Sequence, residues 1–191
     1  MKADETVTMW SGQQEIVMDT LNETGRYIVK KSYVEEKYKE TAWIFQEAYQ
    51  YLAQCAKELI PKPADAESPV WLYKYARHIY GSEGMYYLEL RIPKEKLITF
   101  DTRKWNRILN LNYVGKSEQE EAEFQKWLEK RGIRDNLAIF STPFYPNEKQ
   151  KIKKSWSNLL EVPVEDDEYT QGMTWELQKE WIQTIEKAQA L

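Results

Sequence analysis

Between positions 36 and 60, Tyr38, Ala42, Phe45, Tyr49, Leu52, Ala56 and Leu59 recur at alternating spacings of four and three. That is the periodicity of one face of an α-helix. Ile44, Ala48, Tyr51 and Cys55 widen the stripe, so the helix is expected to be buried over much of its circumference, with Pro61 and Pro63 ending it. A helix this apolar requires other elements to cover it. Phe45 and Leu52 are expected at the centre of the resulting core, and Cys55 is read as packing rather than as a nucleophile, because no histidine lies near it in sequence.

The remaining segments read mostly as short strands and shorter helices. Val7 and Met9 alternate with Thr8 and Trp10, which predicts a strand; Ser11 with Gln14 three residues on predicts a helix N-terminus. Ile16, Val17 and Leu21 would share that helix's buried face, Gly25 would stop it, and residues 27–30 would form a second strand. VWLYKYARHIYG reads as either a short helix or irregular structure. In MYYLELRIP the alternation of Tyr86, Leu88, Leu90 and Ile92 with Tyr87, Glu89 and Arg91 predicts a strand with one wet face. Residues 97–100 predict a further strand, and Asp101 is placed to cap a helix carrying Trp105, Ile108, Leu109 and Tyr113. Ser117 with Glu120 predicts a surface helix bearing Phe124, Trp127 and Leu128. Residues 137–140 read as a strand, Asn147 with Gln150 as the start of a helix carrying Ile152, Trp156, Leu159 and Leu160, and EVPVEDDE as an acidic loop. In TQGMTWELQKEW, a strand over 171–178 is expected from the β-favouring Thr and Trp and the helix-poor Gly172, with Trp181, Ile182 and Ile185 in a further short element. The sum is one α+β domain over 1–191, with a mixed or split antiparallel sheet and a long buried helix.

Composition narrows the function classes. Hydrophobic residues at 42% and charged residues at 30% exclude a disordered or fibrous chain. Twenty-seven basic against 31 acidic side chains, a net charge of -4, argue against broad binding to a nucleic-acid backbone. One cysteine forbids an internal disulfide; the polar start MKADETVTMW does not read as a signal peptide, and no apolar run is long enough to cross a bilayer. A cytoplasmic protein without a membrane partner is expected. Asn22-Glu23-Thr24 matches a glycosylation sequon but reads as a helix end.

Phosphate-binding glycine loops, paired-cysteine zinc motifs and nucleophile elbows are absent, and with one histidine, His78, no two-histidine centre can be built within one chain. His78 reads as a surface or core histidine. Lys149, Lys151, Lys153 and Lys154 near Trp156 would suit nucleic-acid phosphates beside a stacking ring, and equally suit a solvated helix face. The aromatic content of 14% supplies stacking surface for a base, nucleotide or peptide, although most rings fall on apolar stripes.

Trp10 with Gln13, the helix-closing Gly25, Pro69 to Trp71 as PVW, LELRIPKEKLITFDTRKWNRILN and QGMTWEL together resemble a bacterial domain of unknown function, number 3841, over most of the chain. That family brings no established activity. More distantly, a strand and helix ending at glycine, a later YLELRIPKEKLITFD strand and a terminal strand bearing a glutamate resemble compact ADP-ribosyltransferases, including DNA-modifying toxins and RNA 2′-phosphotransferases. The resemblance implies a split sheet clasping NAD, and a carboxylate that steadies an oxocarbenium-like state while the acceptor, a nucleic acid or protein, is modified. Glu176 would be that carboxylate, with Trp10, Gln13 and Tyr87 contacting the cofactor; no metal is implied. The first strand departs from that pattern in lacking a histidine or arginine. The competing expectation is a non-catalytic, aromatic-lined module for a nucleotide, modified base or peptide.

Overall fold

The computed structural model describes residues 5–30, 42–81 and 83–188. In chain order its elements are β1 (Thr6–Gln13), α1 (Glu15–Thr24), β2 (Arg26–Tyr27), α2 (Ala42–Leu59), β3 (Val70–Tyr73), β4 (Tyr86–Pro93), β5 (Ile98–Asp101), α3 (Thr102–Leu109), α4 (Glu118–Lys130), α5 (Asn136–Ser141), α6 (Pro146–Ser155), α7 (Asn158–Glu161), β6 (Thr170–Thr174), β7 (Leu177–Gln178) and β8 (Ile182–Lys187). Six strands form one sheet in the order β5-β6-β3-β1-β4-β8, every neighbouring pair antiparallel. β2 and β7 form a separate antiparallel ladder. The class is α+β, as expected, and the sheet is antiparallel rather than mixed.

Strand pleating divides the core in two. β1 and β4 pair without interruption from Thr6↔Pro93 to Gln13↔Tyr86. Met9, Leu88, Leu90 and Ile92 therefore share one face with Val70 and Leu72, and α1 covers it with Val17, Met18 and Leu21. On the other face, Trp71, Met173, Ile98 and Phe100 meet Ala48, Leu52 and Ala56 of α2, together with Trp105, Ile108, Ile152 and Trp156. The sheet is thus enclosed between one short helix and the helical majority. Among the described residues no helix is long and apolar enough to cross a membrane.

The long helix is described from Ala42; Tyr38 lies outside the described residues. Leu52 is fully buried as expected, whereas Phe45 is only partly covered and Leu59 is 59% exposed. The last turn has rotated past the core, and Ile60 fills the place instead.

Several local expectations are corrected. Ser11 does not cap α1: β4 pairs with β1 as far as Gln13, so Ser11 stays in the strand and donates its Oγ–H to the Trp71 carbonyl at 2.9 Å. α1 starts after Gln14, which makes no side-chain cap bond, and Met18 takes the buried place expected of Ile16, which is exposed. Gly25 does end α1, at φ 76°, donating to the Leu21 carbonyl. The second strand is shorter and earlier than 27–30, followed by an isolated bridge between Val29 and Ser68. Residues 137–140 are helical in α5, because the Asp135 carboxylate accepts from the Leu137 N–H and commits the segment to a helical turn. VWLY, expected as short helix or irregular structure, is strand β3, because it pairs with both β1 and β6. Asp101 and Ser117 cap α3 and α4 as expected, accepting from the N–H groups of Arg103 and Glu120; Tyr113 lies beyond α3, and α6 opens one residue earlier, at Pro146.

Candidate functional site

Two antiparallel registers bring strand ends together at one end of the sheet. Tyr73↔Gln171 sets the exit of β3 beside the entry of β6, and Asp101↔Thr170 sets the exit of β5 on the other side of β6. Past β3 the chain makes a 3₁₀ turn, Ala76–His78; before β6 it makes another, Asp167–Tyr169; past β5 it enters α3 at Thr102. These three segments enclose a cleft of about 540 Å³.

One wall of the cleft is aromatic. The ring of Trp71 lies 5.3 Å from Trp105 and 5.4 Å from Tyr49 between centroids, and Tyr49 lies 5.9 Å from Trp105. Tyr49 comes from α2, Trp71 from β3 and Trp105 from α3, so the cluster also joins three elements of the core. Around it stand Thr102, Asn106 and Gln171, and the Thr102 hydroxyl donates to Gln171 Oε1 at 2.9 Å. At the rim, Glu168 Oε2 accepts from Arg77, and Glu168 Oε1 lies 2.7 Å from His78 Nε2. Hydrogen bonding from Arg77, then from His78, holds the Glu168 carboxyl below its ordinary range, so it is ionised. The guanidinium of Arg77 lies 4.1 Å over the Tyr75 ring, against which His78 stands edge-on. Such a cleft can stack a planar ring on its wall and offer hydrogen bonds at the ring's edge.

The four residues picked from sequence take other places, and none of them lines this cleft. Trp10 and Tyr87 share a sheet face, since Trp10 pairs with Glu89 and Gly12 with Tyr87; Gln13 projects from the opposite face and donates through Nε2 to Ser11 Oγ. Glu176 is 8% exposed and accepts from Arg26 Nε at 2.5 Å; the same guanidinium holds Asp65 at 2.8 and 3.0 Å. The strand expected over 171–178 is interrupted, β6 ending at Thr174 and β7 starting at Leu177, so Glu176 falls between strands, and residues 170–177 are all buried. The pair joins the β2–β7 ladder to the loop after α2.

Three of the four clustered lysines meet protein groups. Lys149 and Lys153 pair with Glu47 at 3.7 and 2.7 Å, and Lys151 lies 4.3 Å over the Trp127 ring. Trp156 is fully buried and donates to the Asn112 carbonyl, leaving no open ring face for a base. Among the described residues no group of three or more His, Cys, Asp or Glu side chains is placed to hold a metal.

Sequence reasoning passed over the cleft residues. Tyr49 and Trp105, expected in the core, do pack there and also line the cleft; His78, expected at the surface or in the core, and Glu168, expected in an acidic loop, stand at its rim. The four-residue strand VWLY was the missing signal: once it pairs with β6, positions 77 and 168 must face one another.

A family model described as Domain of unknown function (DUF3841) matches residues 8–183, and the chain belongs to that family. The match takes in every residue lining the cleft. No curated protein and no solved structure gives a match.

Proposed function

We propose that this member of the family is a small-molecule binding module whose cleft takes a planar nitrogen heterocycle, a nucleobase plain or modified. The observation that supports this reading is a cavity of about 540 Å³ with the partly covered rings of Tyr49 and Trp71 in its wall, backed by the buried Trp105. That volume suits one small organic molecule. Rings joined to three elements of a packed core are held in place before the ligand arrives, so little ordering opposes binding. Thr102, Asn106 and Gln171 provide donors and acceptors where the edge of a stacked base would lie.

The test is a fluorescence titration with adenosine, guanosine, cytidine, uridine and NAD. At least one nucleoside should quench tryptophan emission, and it should be recovered unchanged. Asn106→Trp, an exposed position in the cleft wall, should block the quench without unfolding the protein. Glu176→Gln should bind like the parent, because its carboxylate lies outside the cleft. Nucleosides that do not quench at millimolar concentration would overturn the reading, as would nicotinamide release from NAD that depends on Glu176; that second outcome would favour glycosyl transfer.

A further inference from the structure

We infer that the cleft's ligand is an anion, a nucleoside monophosphate rather than a bare nucleoside, and that its phosphate replaces the Glu168 carboxylate on Arg77 and His78. This rests on the ring-binding reading above and adds the chemical class of the ligand's other end.

Both carboxylate oxygens of Glu168 are engaged, each by a different cation or potential cation: Oε2 accepts from Arg77 Nη2, and Oε1 lies 2.7 Å from His78 Nε2. The carboxylate thereby fills a seat shaped for a pair of anionic oxygens. A phosphate presents the same pair with a larger charge, and guanidinium groups bind it through parallel N–H bonds. All three side chains line the cleft whose wall carries Trp71 and Trp105, so a molecule stacked there can reach the seat.

The present occupant is easily exchanged. The side chains of Arg77, His78 and Glu168 are 59%, 26% and 44% exposed, and ion pairs in such contact with water contribute little net stability. The donors, in contrast, have a contact apart from it. Tyr75 supports both, with Arg77 4.1 Å over its ring and His78 edge-on at 5.7 Å. Release of Glu168 does not require its turn to open: Asp166 accepts from the Glu168 N–H at 2.9 Å, Lys74 lies 3.5 Å from Asp167, and the guanidinium of Arg103 lies 3.9 Å over the Tyr169 ring. Only the Glu168 side chain has to swing.

Calorimetric titrations of the whole protein with each nucleoside and its 5′-monophosphate test the inference. The monophosphate should bind about tenfold tighter or more than its nucleoside. Arg77→Gln should abolish that increment, read as the ratio of monophosphate to nucleoside affinity in the same variant, while Glu168→Gln should raise that ratio. Circular dichroism should show both variants folded, since both positions are exposed. Nucleoside binding with no phosphate increment, or a Glu168→Gln protein that binds the monophosphate more weakly, would overturn the anion inference and leave the ring reading standing. Binding of neither compound would overturn both.

Discussion

At the scale of single residues, Glu176 and Glu168 exchange the parts that their surroundings in sequence suggest. Glu176 alternates with apolar neighbours and would face water in an ordinary edge strand; instead it is buried against Arg26. Glu168 lies in a run of acids and ends at the rim of the cleft. Glu176→Gln keeps the shape and one acceptor for Arg26 Nε but removes the charge. Arg26 is a third exposed and keeps Asp65, so the loss should be modest, about 1–2 kcal/mol in urea denaturation. Unchanged stability would mean that the pair contributes nothing to the β2–β7 ladder.

At the scale of elements, α2 separates the positions that its periodicity treats as equal. Leu52 is fully buried between the sheet and the surrounding helices, and Leu52→Ala should cost about 2–5 kcal/mol by opening a cavity. Phe45, nearer the start of the helix, is only partly covered, and Phe45→Ala should cost about 1–2 kcal/mol. Thermal or urea unfolding of the two variants gives the ordering directly; equal losses would contradict this placement of the helix. Strand elements are as unequal. β6 is buried throughout, its edges paired with β3 and β5 and its faces covered by the packed core, while β8, at the edge, is exposed over most of its length.

Across the whole molecule, two carboxylates carry a dependence on pH, the buried Asp101 where β5 enters α3 and the partly buried Glu47 on α2. Burial acts to raise the Asp101 carboxyl, but the Arg103 side chain and N–H more than offset it and hold the group below its ordinary value. Burial likewise opposes, and Lys153 followed by Lys149 outweighs it, at Glu47, which joins α2 to α6. Both groups titrate lower in the folded chain than in the unfolded one, so their stabilisation is complete above the unfolded values and disappears as pH falls through the folded ones. Urea midpoints should be flat from neutrality to about pH 5 and fall below about pH 4. Asp101→Asn combined with Glu47→Gln should lower stability at neutral pH and flatten that acid decline; an unaltered decline would place the acid sensitivity elsewhere.

The sequence by itself determined the features that depend on short-range physics. The α+β class, the long helix, the β4 alternation, the caps at Asp101 and Ser117 and the stop at Gly25 each need only neighbours within one or two turns, or a period that runs long enough to be unambiguous. Where the apolar run is only four residues, as at VWLY and residues 137–140, the outcome rests on partner strands or a single cap, and both segments depart from their expected form. The cleft belonged wholly to the tertiary structure. Residues 49, 71, 77, 78, 105, 168 and 171 come from six elements, and no local pattern specifies that β6 inserts between β3 and β5. That strand order is set by the burial of two sheet faces at once, a property of the packed whole that no periodicity along the chain encodes.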